Sequence, residues 1–135
     1  MANINVELKG PQGPQIKESL LPAAVAGFQR GLAVVYGTDE YHAALATTAG
    51  EPCVGLIEED AVSAQNPISV IEHGQAVAQI GAAVTPLQKL TTNAAGQLIP
   101  AVTPQHVIAV ALSGNPNAGD YITVFVCGPG GQAFN

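Results

Sequence analysis

Apolar and polar residues alternate in short segments along most of the chain, and one stretch of this pattern occurs twice. Residues 54–71 contain an apolar segment, a polar turn and a second alternating segment, and residues 108–125 repeat that order without a gap. The copies lie 54 positions apart, so that Ile68 aligns with Ile122. Alternation with a period of two is the pattern of a half-buried β-strand. The repeat therefore predicts a duplicated strand–turn–strand unit.

The remaining segments extend this prediction to an all-β chain. Gly, Pro and Asn divide the sequence into about nine to eleven short apolar segments, a spacing typical of a β-sandwich or barrel. We expect a small β-sandwich or barrel built from two repeats of about 50 residues, at residues 27–74 and 81–128, within one domain at residues 22–131. Residues 16–26 are the one segment compatible with a helix. One or two helical turns are expected there, because Pro22 suits a first turn.

The N-terminal segment differs from the rest of the chain and predicts an arm at residues 1–21. Ile4, Val6 and Leu8 alternate with polar residues as in a short strand, and a Gly-Pro-Gln-Gly-Pro sequence at residues 10–14 interrupts its continuation. A flexible terminus is the simpler interpretation. An alternating strand has no use in a free tail, however. We therefore favour an extended arm that adds a strand to the sheet edge of a neighbouring molecule.

Charged residues are scarce. They make up 10% of the chain, against about 25% in soluble domains, which predicts that other subunits cover much of the surface. The 4 Lys and Arg residues against 10 Asp and Glu give a formal net charge of −6, and no basic stripe could neutralise nucleic-acid phosphates. No apolar run reaches the roughly 18–20 residues of a transmembrane helix. The composition indicates an assembly protein that binds neither nucleic acid nor membrane.

The residues that could carry chemistry are widely separated. His42, His73 and His106 lie far apart in the sequence, and none has a second ligand at metal-binding spacing. Asp120 and His106 could join a serine in a catalytic triad, but Asp120 is better explained as a residue that caps its own turn. No P-loop, dinucleotide-binding or nucleophile-elbow motif is present. We therefore expect no enzyme activity, no metal and no cofactor.

Two further groups of residues have structural interpretations. Glu58, Glu59 and Asp60 follow one another at the end of a predicted strand, where successive side chains point to opposite faces and do not converge on a cation. A solvated acidic turn is expected. Cys53 and Cys127 lie in or beside predicted strands. Buried thiols are their expected state, while a disulfide between them stays open from the sequence.

The second repeat contains a series of motifs that occur together in a known family. In order they are Gly-Ala-Ala-Val-Thr at residues 81–85, Leu-Thr-Thr-Asn-Ala-Ala-Gly-Gln-Leu-Ile-Pro-Ala at 90–101, Ile-Ala-Val-Ala-Leu at 108–112, Ala-Gly-Asp at 118–120 and a closing strand at 122–126. This series resembles the small capsid decoration, or cement, proteins of tailed bacteriophages. The first repeat looks similar through residues 30–34 and 54–61, so the match spans about residues 22–128. At residues 86–88 the chain has Pro-Leu-Gln where the family more often has Ala-Gly-Asp.

The resemblance implies a function as well as a fold. It implies a β-rich homo-oligomer, a trimer rather than a dimer, that is made in the bacterial host cytoplasm and sits on the outer surface of a phage head. There it would bridge neighbouring major capsid proteins and stabilise the capsid lattice without catalysis. In that setting the predicted arm, through Ile4, Val6 and Leu8, is the candidate capsid contact.

Two alternatives stay open. Carrier or ligand-binding modules of the biotinyl/lipoyl type are also duplicated small β folds, and they present a modified lysine at a hairpin tip. Lys89 is the one lysine of the predicted β domain, but it lies within a strand segment and not in a tight turn. The other alternative is a β subunit of a different phage assembly, such as a tail or a fibre.

Overall fold

The described part of the molecule is built from strands. The computed structural model describes residues 15–103, 105–128 and 132–133, and every regular element in these ranges is a β-strand. The strands are β1 (Ile16–Pro22), β2 (Ala33–Tyr36), β3 (His42–Leu45), β4 (Gly55–Ile57), β5 (Ile68–Gln79), β6 (Lys89–Thr92), β7 (Leu98–Pro100), β8 (His106–Val107), β9 (Ala109–Ala111), β10 (Tyr121–Cys127) and β11 (Gln132–Ala133). The prediction of an all-β fold is confirmed. The predicted strand at Ile4, Val6 and Leu8 lies outside the described residues.

Nine of these strands form one sheet, in the order β1-β3-β2-β4-β5-β10-β9-β6-β7, while β8 pairs with β11. Because β1 also pairs with β5, strands β1 to β5 close into a ring, the N-terminal barrel. Strands β5, β10, β9, β6 and β7 form a second ring, the C-terminal barrel, closed by a parallel bridge between Ile80 and Leu98. The corresponding closure of the first ring is the parallel pairing of Pro22 with Ala43. Each sequence repeat thus builds its own barrel.

The register of the strands reproduces the sequence repeat. Leu56 of β4 pairs with Ile71 of β5 in the N-terminal barrel. In the C-terminal barrel the residues 54 positions later, Val110 and Phe125, pair in the same way. The duplication predicted from the sequence is therefore present in the hydrogen-bonded ladder. The two copies are complete barrels, however, and not the two halves of one barrel that the short repeat length suggested.

Both barrels share β5, which runs for 12 residues. Residues 68–71 of this strand pair with β1 and β4, and residues 73–79 pair with β10. The first predicted repeat ended at residue 74, within this strand. The structure has one continuous strand there because Gly74, at φ 114°, takes up the irregular backbone geometry without a side-chain clash.

Strand β1 replaces the helical turns expected at residues 16–26. It closes the N-terminal barrel, and Leu20 and Pro22 are buried there. The prediction of helical turns was wrong because it relied on Pro22. The conformation is decided instead by pairing with the open edges of β3 and β5, which favours a strand. The predicted boundary between arm and domain, at residue 21, falls inside β1. Likewise β11 lies beyond residue 131, the predicted end of the domain.

The apolar core consists of two clusters. The first fills the N-terminal barrel with Leu20, Phe28, Leu32, Val34, Ala43, Val54, Ile57, Ile68 and Val70. The second fills the C-terminal barrel and continues between the barrels, and it includes Ala33, Leu56, Ile71, Ala78, Ile80, Leu90, Leu98, Ile108, Ala111, Ile122 and Val124. Neighbouring residues of one strand, such as Leu56 and Ile57, therefore enter different clusters. The N-terminal barrel is buried on its inner face and on part of its outer face.

A short backbone segment joins the two barrels. The amide of Gln79 donates to the carbonyl of Gly31 at 3.0 Å, and the amide of Ala33 donates to the carbonyl of Gly96 at 2.8 Å. Residues 31–33 of the N-terminal barrel thus bond both to the end of β5 and to the turn between β6 and β7. Gly31 has φ 89°, and a Cβ atom there would lie 2.7 Å from the amide nitrogen of Gln79. Glycine is required for this close approach.

Substitution of Gly31 tests the contact between the barrels. Gly31→Ala introduces both left-handed strain and a backbone clash, whereas Gly119→Ala, at φ 93° with nothing within 4 Å of the new Cβ, introduces the strain alone. We expect Gly119→Ala to lower the free energy of unfolding by about 1–2 kcal/mol and Gly31→Ala by roughly 2 kcal/mol more. Denaturant unfolding measures both. Equal losses would contradict the close approach at Gly31.

Thr91 offers a second test of packing. Its side chain is fully buried in β6, and its hydroxyl has no hydrogen-bond partner among the residues that the structure describes. Thr91→Val should raise the free energy of unfolding by about 1 kcal/mol because it removes an unpaired buried polar group. Thr92→Val is the matched control, since the Thr92 hydroxyl donates to the carbonyl of Asn93 at 2.8 Å. The control should destabilise the protein in the same unfolding measurement, and a loss of stability in both variants would refute the assignment.

Candidate interaction surface

The three histidines are held in separate places. The His42 ring nitrogen Nδ1 lies 2.7 Å from the Asp39 carboxylate, and the His73 ring packs edge-on against Phe125 at a centroid distance of 5.1 Å. His106 places Nδ1 3.3 Å from the carbonyl of Gly50. Within the described ranges, no three His, Cys, Asp or Glu side chains are grouped so that they could hold a metal ion.

The three consecutive acids serve the local structure. Glu58 forms an ion pair with Lys17 at 2.8 Å, and the Asp60 carboxylate accepts the backbone amide of Arg30 at 2.8 Å. The two carboxylates have partners on different elements, so they do not converge. This geometry agrees with the acidic turn expected from the sequence.

Both cysteines are free thiols. Burial, and then the charge of Glu51, raises the pKa of the Cys53 thiol to about 12, and burial also raises the pKa of Cys127. Both thiols are therefore protonated at neutral pH and are poor nucleophiles. Cys53 and Cys127 therefore form no disulfide with each other, a question that the sequence left open.

Neither the cleft beside Arg30 nor Lys89 provides a small-molecule site. The cleft has a volume of about 190 Å³ and is lined by Arg30, Ile57, Glu58, Ile71 and Val77. Ligand pockets of ordinary size have roughly 300–1,000 Å³. Lys89 is the first residue of β6 and pairs with Val110, so it does not occupy the hairpin tip at which a carrier lysine would be presented.

Large apolar side chains are exposed on both barrels. They are Ile16, Val25, Tyr36, Tyr41, Val62, Leu87, Val102, Tyr121 and Phe125. Phe125 belongs to a row that crosses three strands of the C-terminal barrel, in which Lys89 pairs with Val110 and Val110 pairs with Phe125. We call this row, together with the neighbouring Leu87, the outer face of the C-terminal barrel. Two residues of this face, Leu87 and Phe125, are large, apolar and exposed.

A pair of carboxyl groups lies on the N-terminal barrel near an exposed tyrosine. The Tyr36 hydroxyl donates to the Glu18 carboxylate at 3.1 Å. Burial, followed by the hydrogen bond and the charge of Glu18, raises the pKa of Glu72 to about 7. Glu72 therefore keeps its proton below neutral pH and can donate it in a hydrogen bond to Glu18.

This pair predicts a pH dependence of stability. The pKa of Glu72 is about 7 in the folded protein and 4.5 ordinarily, so the folded chain keeps a proton that the unfolded chain loses. The stabilisation is complete below pH 4.5 and is lost as the pH rises through about 7. Glu72→Gln should flatten this fall in thermal midpoint across the window. Glu59→Gln, an exposed residue of the acidic turn, should keep the wild-type slope, and an unchanged slope in Glu72→Gln would contradict the raised pKa of Glu72.

Comparisons with known proteins identify the fold. No family model matches the chain, and no curated protein matches it. Among solved structures, the chain is similar to the N base of the head fiber gp8.5 of bacteriophage phi29, with a TM-score of 0.61 and 13% sequence identity. The similarity covers 84% of this chain and 95% of the other. At this identity the two proteins share a fold.

The structure does not test the predicted capsid contact. Ile4, Val6 and Leu8, the predicted capsid contact, lie outside the described residues, so their role stays a prediction. The exposed outer face was not found from the sequence, because the cross-strand pairing that joins Lys89, Val110 and Phe125 is not evident along the chain. The described part of the chain contains no helix that could span a membrane.

Proposed function

We propose that the protein is a non-enzymatic structural component of a phage head, carried on the outer surface of the capsid. In this role it bridges neighbouring major capsid proteins and stabilises the lattice. The observation that carries the proposal is the fold shared with the base of a phage head fiber over 84% of the chain. The resemblance to decoration proteins depends on sequence motifs and not on the fold, and it supports the same class of protein.

Features of the chain itself are consistent with a role in assembly. Charged residues make up only 10% of the sequence, and apolar side chains are exposed on both barrels. The three histidines, Glu58 and Asp60 have local structural partners, and both cysteines are free thiols. A duplicated, closed β fold is a stable platform for contacts with a lattice. By the resemblance, the protein acts as a homo-oligomer, a trimer rather than a dimer.

A second candidate is the base of a fibre or of another appendage on the phage head. The fold similarity favours it directly, because the similar structure is itself the base of a head fiber. A decoration protein and a fibre base would both bind the assembled capsid. They differ in number and in effect, since a lattice stabiliser occupies most equivalent sites, whereas an appendage needs only attachment.

Binding to heads tests the proposal. We expect the protein to co-sediment with undecorated phage heads and not with unassembled major capsid protein, because a bridging protein needs neighbouring capsid subunits. Deletion of residues 1–10 should lower occupancy by about tenfold or more, if Ile4, Val6 and Leu8 contact the capsid, and should leave the circular dichroism of the β core unchanged. Val62→Ser, an exposed change on the N-terminal barrel, is the control. Absence of the protein from sedimented heads would reject the proposal.

The same preparation separates the two candidates. A lattice stabiliser should saturate at a number of copies comparable to the number of capsid symmetry sites and should raise the temperature at which heads release DNA. A fibre base should bind at fewer sites and leave that temperature unchanged. Scanning fluorimetry with a DNA dye, together with quantitative gel densitometry of purified heads, measures both properties.

A further inference from the structure

The two barrels contact each other through different surfaces, a row of side chains on one barrel and a turn on the other. On the N-terminal barrel, Ala33, Leu56 and Ile71 form a row across β2, β4 and β5, and all three are buried. The C-terminal barrel contributes to this cover through the turn at residues 93–97, where the carbonyl of Gly96 accepts the amide of Ala33 at 2.8 Å. One barrel thus offers an outer row and the other offers a turn.

The equivalent row of the C-terminal barrel has no such cover from the described chain. It consists of Lys89, Val110 and Phe125, which are joined by the same cross-strand pairing as Ala33, Leu56 and Ile71. Phe125 is 36% exposed, whereas its counterpart Ile71 is 2% exposed. Lys89 is exposed and Val110 half-buried. Two of its three members, Val110 and Phe125, are apolar, although the described residues leave Phe125 partly exposed.

The backbone segment that precedes this row resembles the segment that precedes the covered row. Gly31 donates its amide to Ile57 at 2.9 Å, and Leu87 donates its amide in the same way to Ala111 at 2.7 Å. Leu87 has φ 67°, close to the 89° of Gly31, although a leucine is strained in this region. Its side chain is 75% exposed. Leu87 follows Pro86 in a turn in which the amide of Gln88 donates to the carbonyl of Thr85 at 3.2 Å, and such a turn accounts for its positive φ. The turn places a large apolar side chain at the surface, two residues before Lys89 of the row.

The N-terminal barrel carries the counterpart of the covering turn. Residues 37–42 connect β2 to β3 as residues 93–97 connect β6 to β7, and residues 37–41 are all exposed. The Asp39 carboxylate shapes this turn by accepting the amide of Tyr41 at 2.9 Å. Tyr41 is 66% exposed, and Glu40 lies beside it. The exposed aromatic ring of Tyr41 suits a face that contains Phe125 and Leu87.

We propose that the outer face of the C-terminal barrel receives the turn at residues 37–42 of a second copy of this chain. The contact repeats between molecules the arrangement that already joins the two barrels within one molecule. Because the face and the turn are different surfaces, the contact is head-to-tail, and successive copies close into a ring or extend as a filament. The proposal assigns surfaces to the self-association inferred above, and it does not require capsid binding.

Complementation between two defective variants tests this proposal. The face variant is Leu87→Asn with Phe125→Ser, and the turn variant is Tyr41→Ser with Glu40→Lys. Leu87→Asn alone is a milder face variant, because Asn tolerates positive φ and the residue it replaces is exposed. Val62→Ser, at a 78% exposed residue outside both surfaces, is the matched control. Sedimentation velocity of full-length proteins at several micromolar concentrations measures the mass.

The wild type and the control should be oligomeric, and each variant should be monomeric or associate at least tenfold more weakly. An equimolar mixture of face and turn variants should form a dimer and nothing larger, because the mixture has one intact face and one intact turn per pair. A monomeric wild type, unchanged oligomers in the variants, or a mixture without dimers would overturn the proposal. Variants that keep the wild-type mass but lose binding to heads would assign the face to the capsid instead. Failure of wild-type protein to bind heads, with complementation intact, would reject only the capsid role.

Discussion

Strand β5 is a wall of both barrels, and this sharing constrains the rest of the fold. Its first part pairs with β1 and β4, and its second part pairs with β10, so neither ring closes without it. Unpaired strand edges expose backbone donors and acceptors that invite aggregation, and closure removes them. The same strand ends at Gln79, whose amide donates to the carbonyl of Gly31 in the N-terminal barrel. A single long strand therefore determines both the closure of each repeat and the contact between repeats.

The outer rows of the two barrels differ in how deeply they are buried. The outer row of the N-terminal barrel contributes Leu56 and Ile71 to the core, whereas the corresponding Val110 and Phe125 remain at the surface. Burial of a large apolar side chain stabilises a protein by about 1.5–3 kcal/mol, so the first row contributes more to the stability of the fold than the second. This difference between copies explains how a duplicated scaffold presents distinct surfaces.

The sequence predicted the parts of this structure that depend on local alternation and on the repeat. The strand at residues 121–127 and the 54-residue register between the copies follow directly from the pattern of apolar residues. The conformation of β1 did not, because its strand state comes from pairing with distant residues and Pro22 obscured it. The left-handed backbone at Leu87 could not be predicted either, since no side-chain property of leucine favours it. Such positions are fixed by tertiary contacts, which are not evident until the repeat is traced through the sheet.

We expect the shared strand β5 and the bonds of residues 31–33 to make the two barrels one cooperative unit. Hydrogen exchange of the backbone amides of Gln79 and Ala33, followed by NMR or mass spectrometry under native conditions, tests it most directly, because these amides bond across the barrels at 3.0 and 2.8 Å. We predict that both exchange through global unfolding, with the same free energy and denaturant dependence as core amides of β4 and β9. Exchange of either amide through a separate, lower-energy opening, with one barrel still protected, would contradict the account.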